Sequence, residues 1–347
     1  LDLFSFLSNH SHLITVQVEA ATDIEGLAQA ATQITRMVIT LHRSGTRVSL
    51  IARLVQDLNA RLFERAWQLI APPDLVANSC LFVMGSEGRG EQLLKTDQDN
   101  GLILRDGYTP PDNLDALCAQ FSQALSSFGY PECPGHIMVS NPMWRKTAYE
   151  FGQMVKQWLL MPSADSLMNL AIFLDAHAVC GDAHLLQDAQ QVLMRIATDN
   201  DAMLARFAAA IDAFGNSQGW WNRLLGLDDQ QGLHLKKEGI FPLVHGVRSL
   251  ALAEHLQETS TTARIEALVE KDVITSALGA DLTQSLHFLM GLKLKAGVTE
   301  METQREVSGL VNVGKLSTLE RDLLKDALGV VKHFKGLLRS RFKLDSL

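Results

Sequence analysis

The sequence predicts an α+β protein, in which a small mixed-sheet core is preceded by helices and followed by a large all-helical region. Three observations carry this. Apolar residues recur at helical spacing through residues 14–71. A short apolar run, residues 80–84, breaks that period and ends on a glycine-serine turn. After Lys146 the pattern returns to helical periodicity. The expected organisation is a helical segment over 1–72, a core over 73–150 and an all-helical domain over 151–347.

In the first segment, Ile24, Leu27, Ala31, Ile34, Met37 and Val38 share one helix face. Ile51, Leu54, Val55, Leu58, Leu62 and Trp67 share a second, and Pro72-Pro73 ends the region. The core then reads as a strand over 80–84, a helix through 91–94 and a strand over 99–104 whose start is drawn back toward Asp97. A helix over 114–128 is stopped by Gly129-Tyr130-Pro131, and a short strand is expected near 137–139. Helices are expected over 146–160, 164–180, 183–197, 200–215, 240–257, 262–279, 281–295 and 316–342.

Composition narrows the class. The 347 residues are 47% hydrophobic, enough for a sizeable core and two or three domains. A net charge of -8 argues against a broad nucleic-acid surface, which needs clustered Lys and Arg. Cys80, Cys118, Cys133 and Cys180 form no Cys-x-x-Cys pair, so neither zinc nor a disulfide framework is indicated. Without a signal-peptide pattern or a long apolar run, a cytoplasmic protein with no membrane partner is expected.

The chemistry concentrates in Gly85-Ser86-Glu87-Gly88-Arg89-Gly90-Glu91, closed by Thr96-Asp97-Gln98-Asp99. Gly85 lets the backbone turn and approach a ligand closely. Ser86 offers a hydroxyl and an amide near a helix start, where partial positive charge favours phosphate. On an extended chain residues i and i+2 face one side, so Asp97 and Asp99 can hold one or two hard cations, Mg2+ or Mn2+. The Gly-x-x-x-x-Gly-Lys-Ser/Thr phosphate loop is absent, and the doubled acidic pair follows too soon for a dinucleotide fingerprint. The backbone of residues 85–88 with Ser86 would cradle a triphosphate, with Asp97 and Asp99 as metal-binding and catalytic carboxylates. Arg89 and Glu91 either reach phosphate or metal or brace the turn as an ion pair.

The joint pattern Gly-Ser-x-Gly-Arg-x-Glu-x-x-x-x-Thr-Asp-x-Asp resembles the signature of bacterial PII uridylyltransferases and glutamine-synthetase adenylyltransferases. Over about residues 15–343 the chain resembles a related nucleotidyltransferase family, found downstream of cyclic-nucleotide-binding and CBS domains in bacterial signalling proteins. Three segments carry this: Cys133-Pro134-Gly135-His136-Ile137-Met138 through Trp144-Arg145, Asp175-Ala176-His177 through Gly181-Asp182, and Leu235-Lys236-Lys237-Glu238-Gly239 through Arg248. In the second, His177 stands where arginine is usual.

The resemblance implies a DNA polymerase beta-like nucleotidyltransferase core. It implies a nucleoside triphosphate substrate, ATP favoured, a protein acceptor, and upstream sensor domains outside this fragment, which opens on Leu1. It also makes Gly85, Ser86, Gly88, Arg89 and Lys236 nucleotide-binding candidates, with Lys236 reaching a cleft closed by the helical domain. Many such enzymes carry a third carboxylate on a later strand, but here Ser140 and Asn141 occupy that region. This leaves a nucleotide-binding regulatory module as the alternative reading. Glu132 and Asp175 are distant candidates for a base, with a helix–helix salt bridge the other reading of Asp175. Trp144 is read as a core residue, Trp220-Trp221 as a core anchor or partner patch, and His234 and His245 as packing or surface residues.

Overall fold

The computed structural model describes residues 3–196, 200–212 and 233–347, which leaves Trp220-Trp221 outside the described residues. The chain divides into two compact units. The first comprises Leu1–Gln157 with Ile172–Leu193, and the second Trp158–Ala171 with Met194–Leu347.

The first unit opens with helices α1 (Leu3–Ala20), α2 (Ile24–Arg43) and α3 (Val48–Ile70). Asp23 caps α2 by accepting from the Gly26 amide at 2.8 Å. Leu27, Ala30, Ala31, Ile34, Met37, Val38 and Leu41 form its buried stripe, the i, i+3, i+4, i+7 pattern read in the sequence. The short α4 (Pro73–Ala77) leads into β1 (Ser79–Val83), α5 (Gly85–Arg89) and β2 (Asn100–Leu104). Next along the chain come α6 (Leu114–Ser127), β3 (Arg145–Thr147), α7 (Ala148–Leu160), α8 (Ala164–Phe173), most of which belongs to the second unit, β4 (His177–Gly181) and α9 (Ala183–Ile196).

The four strands form one mixed sheet in the order β3-β2-β1-β4. β1 runs antiparallel to β2 and β4, and β2 runs parallel to β3. Every residue of β1 and β2 is buried, so both faces of these two central strands are covered, while β3 and β4 are partly exposed. Phe82 on β1 packs edge-on against Phe151 of α7 and Phe173 of α8, with ring centroids 5.9 and 6.1 Å away. Trp144, 1% exposed, joins this cluster through Phe151, as its core reading requires.

Four expectations are corrected. The helix after the turn does not reach residues 91–94: α5 ends at Arg89, where Gly90 adopts a left-handed conformation (φ 69°) and stops it. The second strand starts at Asn100, and Asp97 and Asp99 lie in the segment leading into it. Residues 137–139 form no strand. They hydrogen-bond to β2 at Asn100, whose backbone amide donates to Ile137 O at 3.1 Å and whose side chain accepts from Val139 N at 2.8 Å. Asn141 then caps the 3-10 turn Pro142–Trp144, and the chain joins the sheet only at Arg145. Finally, the region after 151 is not all-helical. The helix expected over 164–180 ends at Phe173, and residues 177–181 form β4 beside β1. A short apolar run suits a helix or a strand equally, and only the open edge of β1 decides between them.

The second unit is mostly helical. Its longest helices are Phe241–Ala253, Thr261–Glu270, Ser276–Glu302 and Thr318–Phe342. The break expected after 279 falls earlier: Asp272 turns left-handed (φ 57°) and Thr275 caps the next helix by accepting from Leu278 N at 3.1 Å. Pro242 to Leu252 are buried without exception, so Phe241–Ala253 is the central helix of this bundle. His245 packs there, its Nε2 2.6 Å from Phe207 O and its Nδ1 2.9 Å from an Arg248 nitrogen. A two-residue ladder pairs Leu233 with Val311 and His234 with Leu310. Among the described residues, no helix is long and apolar enough to cross a membrane.

Candidate functional site

The β1–β2 register sets the site. Val83 pairs with Asn100, and the ladder continues one step further as the Met84 amide donates to Asp99 O at 2.8 Å. The end of β1 and the Asp97–Asp99 segment are therefore stitched side by side, with the glycine-serine turn springing from the first. Gln98 points away from the turn: its buried amide donates to Ser122 O and Tyr130 O, each at 2.9 Å. Alternation on an extended backbone puts Asp97 and Asp99 on the opposite side, where both are half-buried.

Asp99 closes directly over the turn. Gly85 has φ +61°, and a Cβ added there would lie 2.6 Å from Asp99 Oδ2. Any side chain at 85 would be strained by its backbone and would also collide with the carboxylate. Cys133, 2% exposed, lies against Asp99 as well. Burial, then the Asp99 charge, pushes its thiol up to about 12, so it remains neutral and donates to the carboxylate.

The single turn of α5 is too short to carry much macrodipole, which weakens the helix-charge argument for phosphate. It still presents backbone amides, because the first N–H groups of any helix have no intrahelical acceptor. Ser86 and Gly85 are half-buried at its start. Gly88 is the close approach: a Cβ there would overlap the carbonyl oxygen of Asp175. That contact seats α5 on the segment between α8 and β4.

Arg89 is held on the same segment. Its guanidinium donates to Glu91 Oε1 at 2.9 Å and to Asp175 Oδ2 at 2.8 Å, and the Asp175 side chain is 0% exposed. Burial opposes its charge, but the two carboxylates outweigh this and hold its pKa above the ordinary value. The arrangement is the bracing ion pair weighed from the sequence, with Asp175 as second partner. The salt bridge expected of Asp175 forms, but from the α8–β4 junction to the last residue of α5 and not between two helices.

Sequence reasoning missed a further brace. Asn59 on α3 donates to Glu87 Oε2 at 3.1 Å and accepts from the Tyr130 hydroxyl at 2.8 Å. Gln92, with its amide turned to suit its neighbours, donates to the same Glu87 oxygen at 2.8 Å and accepts from Thr96 N at 3.2 Å. Burial raises the Glu87 carboxyl to about 8, against the opposing effect of Asn59, so it is mostly protonated at neutral pH. The only local signal was a carboxyl at the variable position of Gly-Ser-x-Gly. Nothing in sequence spacing links it to Asn59 or Tyr130.

The structure thus gathers Gly85, Ser86, Gly88, Arg89 and Asp99 around one turn, with Asp97 two residues before Asp99 on the same segment. Lys236 belongs to the second unit, half-buried at the start of the π-helical turn Lys236–Ile240. Among the described residues, no group of three or more His, Cys, Asp or Glu side chains is placed to hold a metal ion. The fit to Mg2+ or Mn2+ rests on two carboxylates: they are hard oxygen donors, and Asp99 faces the open side of a glycine.

Two family models match. One, described as "Putative nucleotidyltransferase DUF294", covers residues 32–165. The other, described as "Putative nucleotidyltransferase substrate binding domain", covers residues 201–342. No curated protein matches the chain.

Proposed function

The chain belongs to the nucleotidyltransferase family that these two models describe, and from that premise we propose a metal-dependent transfer centre at the Gly85 turn. A nucleoside monophosphate would pass from a nucleoside triphosphate, ATP favoured, to a protein acceptor in bacterial signalling. The observation that carries the reading is the Asp99 carboxylate lying over Gly85, beside the first amides of α5. Ser86 and those amides hold the triphosphate, while Asp97 and Asp99 hold Mg2+ or Mn2+. When bound, the cation neutralises phosphate charge and assists the attacking and leaving oxygens. Arg89, Glu91 and Asp175 position the turn. A new bond forms from the acceptor hydroxyl oxygen to the α-phosphorus as its proton passes to solvent, the bond to the bridging oxygen breaks, and pyrophosphate leaves.

A second reading, nucleotide binding without transfer that relays a sensor state, is favoured by one observation. The position where a third carboxylate was sought holds Asn141, which is engaged in capping Pro142–Trp144 and bonds His136 O at 2.8 Å. Label transfer distinguishes the two. With ATP labelled at the α-phosphate, the transfer reading expects metal-dependent covalent labelling of a protein acceptor. The binding reading expects saturable binding alone. Asp97→Asn and Asp99→Asn should each abolish the metal-dependent binding while leaving the thermal unfolding midpoint near wild type. Retention of wild-type metal-dependent affinity by either variant removes that residue from the metal site.

A further inference from the structure

The second unit contains a cavity of about 650 Å³ between the end of the helix Ser276–Glu302, the loop 303–309 and the Leu233–His234/Leu310–Val311 ladder. That volume lies within the usual range for small-molecule sites, about 300–1,000 Å³. Its floor is apolar, formed by Leu292, Val311 and Leu316 of the local core. Two buried polar atoms at its wall, His234 Nε2 and Glu300 Oε1, have no hydrogen-bond partner among the described residues. Buried polar atoms are nearly always paired, so two orphans lining one cavity point to a ligand that satisfies them. The other Glu300 oxygen is taken: it accepts from Ser308 N at 3.1 Å and so pins the loop that walls the cavity. Arg305 and Lys315, both exposed, bring positive charge to the lining.

Each feature restricts the ligand. Glu300 Oε1 accepts only, so the ligand brings an N–H or O–H donor there. His234 Nε2 pairs with a second polar atom of the same head. The apolar floor suits a planar ring, and Arg305 with Lys315 suits an anionic end. We infer that this cavity is a nucleoside monophosphate site, with the amino or hydroxyl groups of the nucleoside on His234 and Glu300 and the phosphate near Arg305 and Lys315. The site lies wholly within the second unit and does not rest on the transfer reading above.

The test is equilibrium dialysis of the full chain with labelled AMP in EDTA, which excludes metal-dependent binding at Asp97 and Asp99. One AMP per chain is expected, with binding unchanged in the Asp97→Asn/Asp99→Asn double variant. Glu300→Gln keeps an acceptor for Ser308 and places an N–H group where the donor-seeking oxygen stood, so affinity should fall at least about tenfold. Lys315→Ser changes only an exposed side chain and should weaken AMP several-fold while sparing adenosine, which keeps the test valid if Glu300→Gln unsettles the loop. Three results overturn the inference: no AMP bound in EDTA, equal affinity in wild type and both cavity variants, or loss of binding in the Asp97→Asn/Asp99→Asn double variant. Loss of metal-dependent ATP binding alone would count against the Gly85 centre and leave this site standing.

Discussion

The Glu87 and Arg89 side chains of the Gly85 turn and the orphaned atoms of the Glu300 cavity handle buried polarity in opposite ways. Around the turn, the buried carboxyl of Glu87 is bonded by Asn59 and Gln92, and the guanidinium of Arg89 by Glu91 and Asp175. In the cavity, His234 Nε2 and Glu300 Oε1 have no partner among the described residues. Glu87 and Arg89 are therefore held by partners from the chain itself, whereas His234 Nε2 and Glu300 Oε1 would, on the inference above, be completed by a ligand. The difference also separates cost from use. Internal bonding at the turn goes into position, which the proposed transfer would require of it. Unpaired atoms in the cavity are a standing cost that binding relieves.

The comparison breaks first at Arg89. Arg89→Ala leaves the Asp175 carboxylate buried without its cation, so stability should drop by about 3–5 kcal/mol, read by denaturant unfolding. An unchanged midpoint together with lost triphosphate affinity would instead make Arg89 a ligand contact and the turn less self-contained.

Glu87 sharpens the comparison through pH. Its folded-state pKa, about 8, stands above its ordinary 4.5, so the native state keeps a proton that the unfolded chain releases. Stability conferred by this group is fully present at low pH and declines as pH rises from about 4.5 to about 8. The limiting slope is about 1.4 kcal/mol per pH unit. Glu87→Gln, which keeps the shape and stays neutral, should flatten this decline. An identical pH profile in the variant would mean that the carboxyl is not buried and protonated as described.

The smallest effect is expected at Ser86. Ser86→Ala should weaken triphosphate binding by about 1–2 kcal/mol, one hydrogen bond to a charged group, and leave binding of unphosphorylated nucleoside unchanged. Equal losses for both ligands, measured by titration calorimetry, would show that Ser86 serves the fold.

What the sequence determined by itself is what short-range physics encodes. The helical stripes of α2 and α3, the strand beginning near residue 80 and the tight turn at Gly85 are local patterns that the structure reproduces, whereas the Asp-x-Asp pair lies just before the second strand and not on it. Tertiary structure decided everything that needed a distant partner. β4 is a strand because β1 offers it an edge, although residues 177–181 carry no period that excludes a helix. Arg89 is a brace because Asp175, 86 positions later, arrives beside it. Glu87 is protonated because the fold buries it, and that desolvation outweighs the opposing hydrogen bond from Asn59 of α3. Glu300 lines a cavity because the loop after its helix folds back and spends one of its two oxygens on Ser308. Spacing fixes which residues share a face; pairing, burial and protonation depend on what the rest of the chain brings to that face.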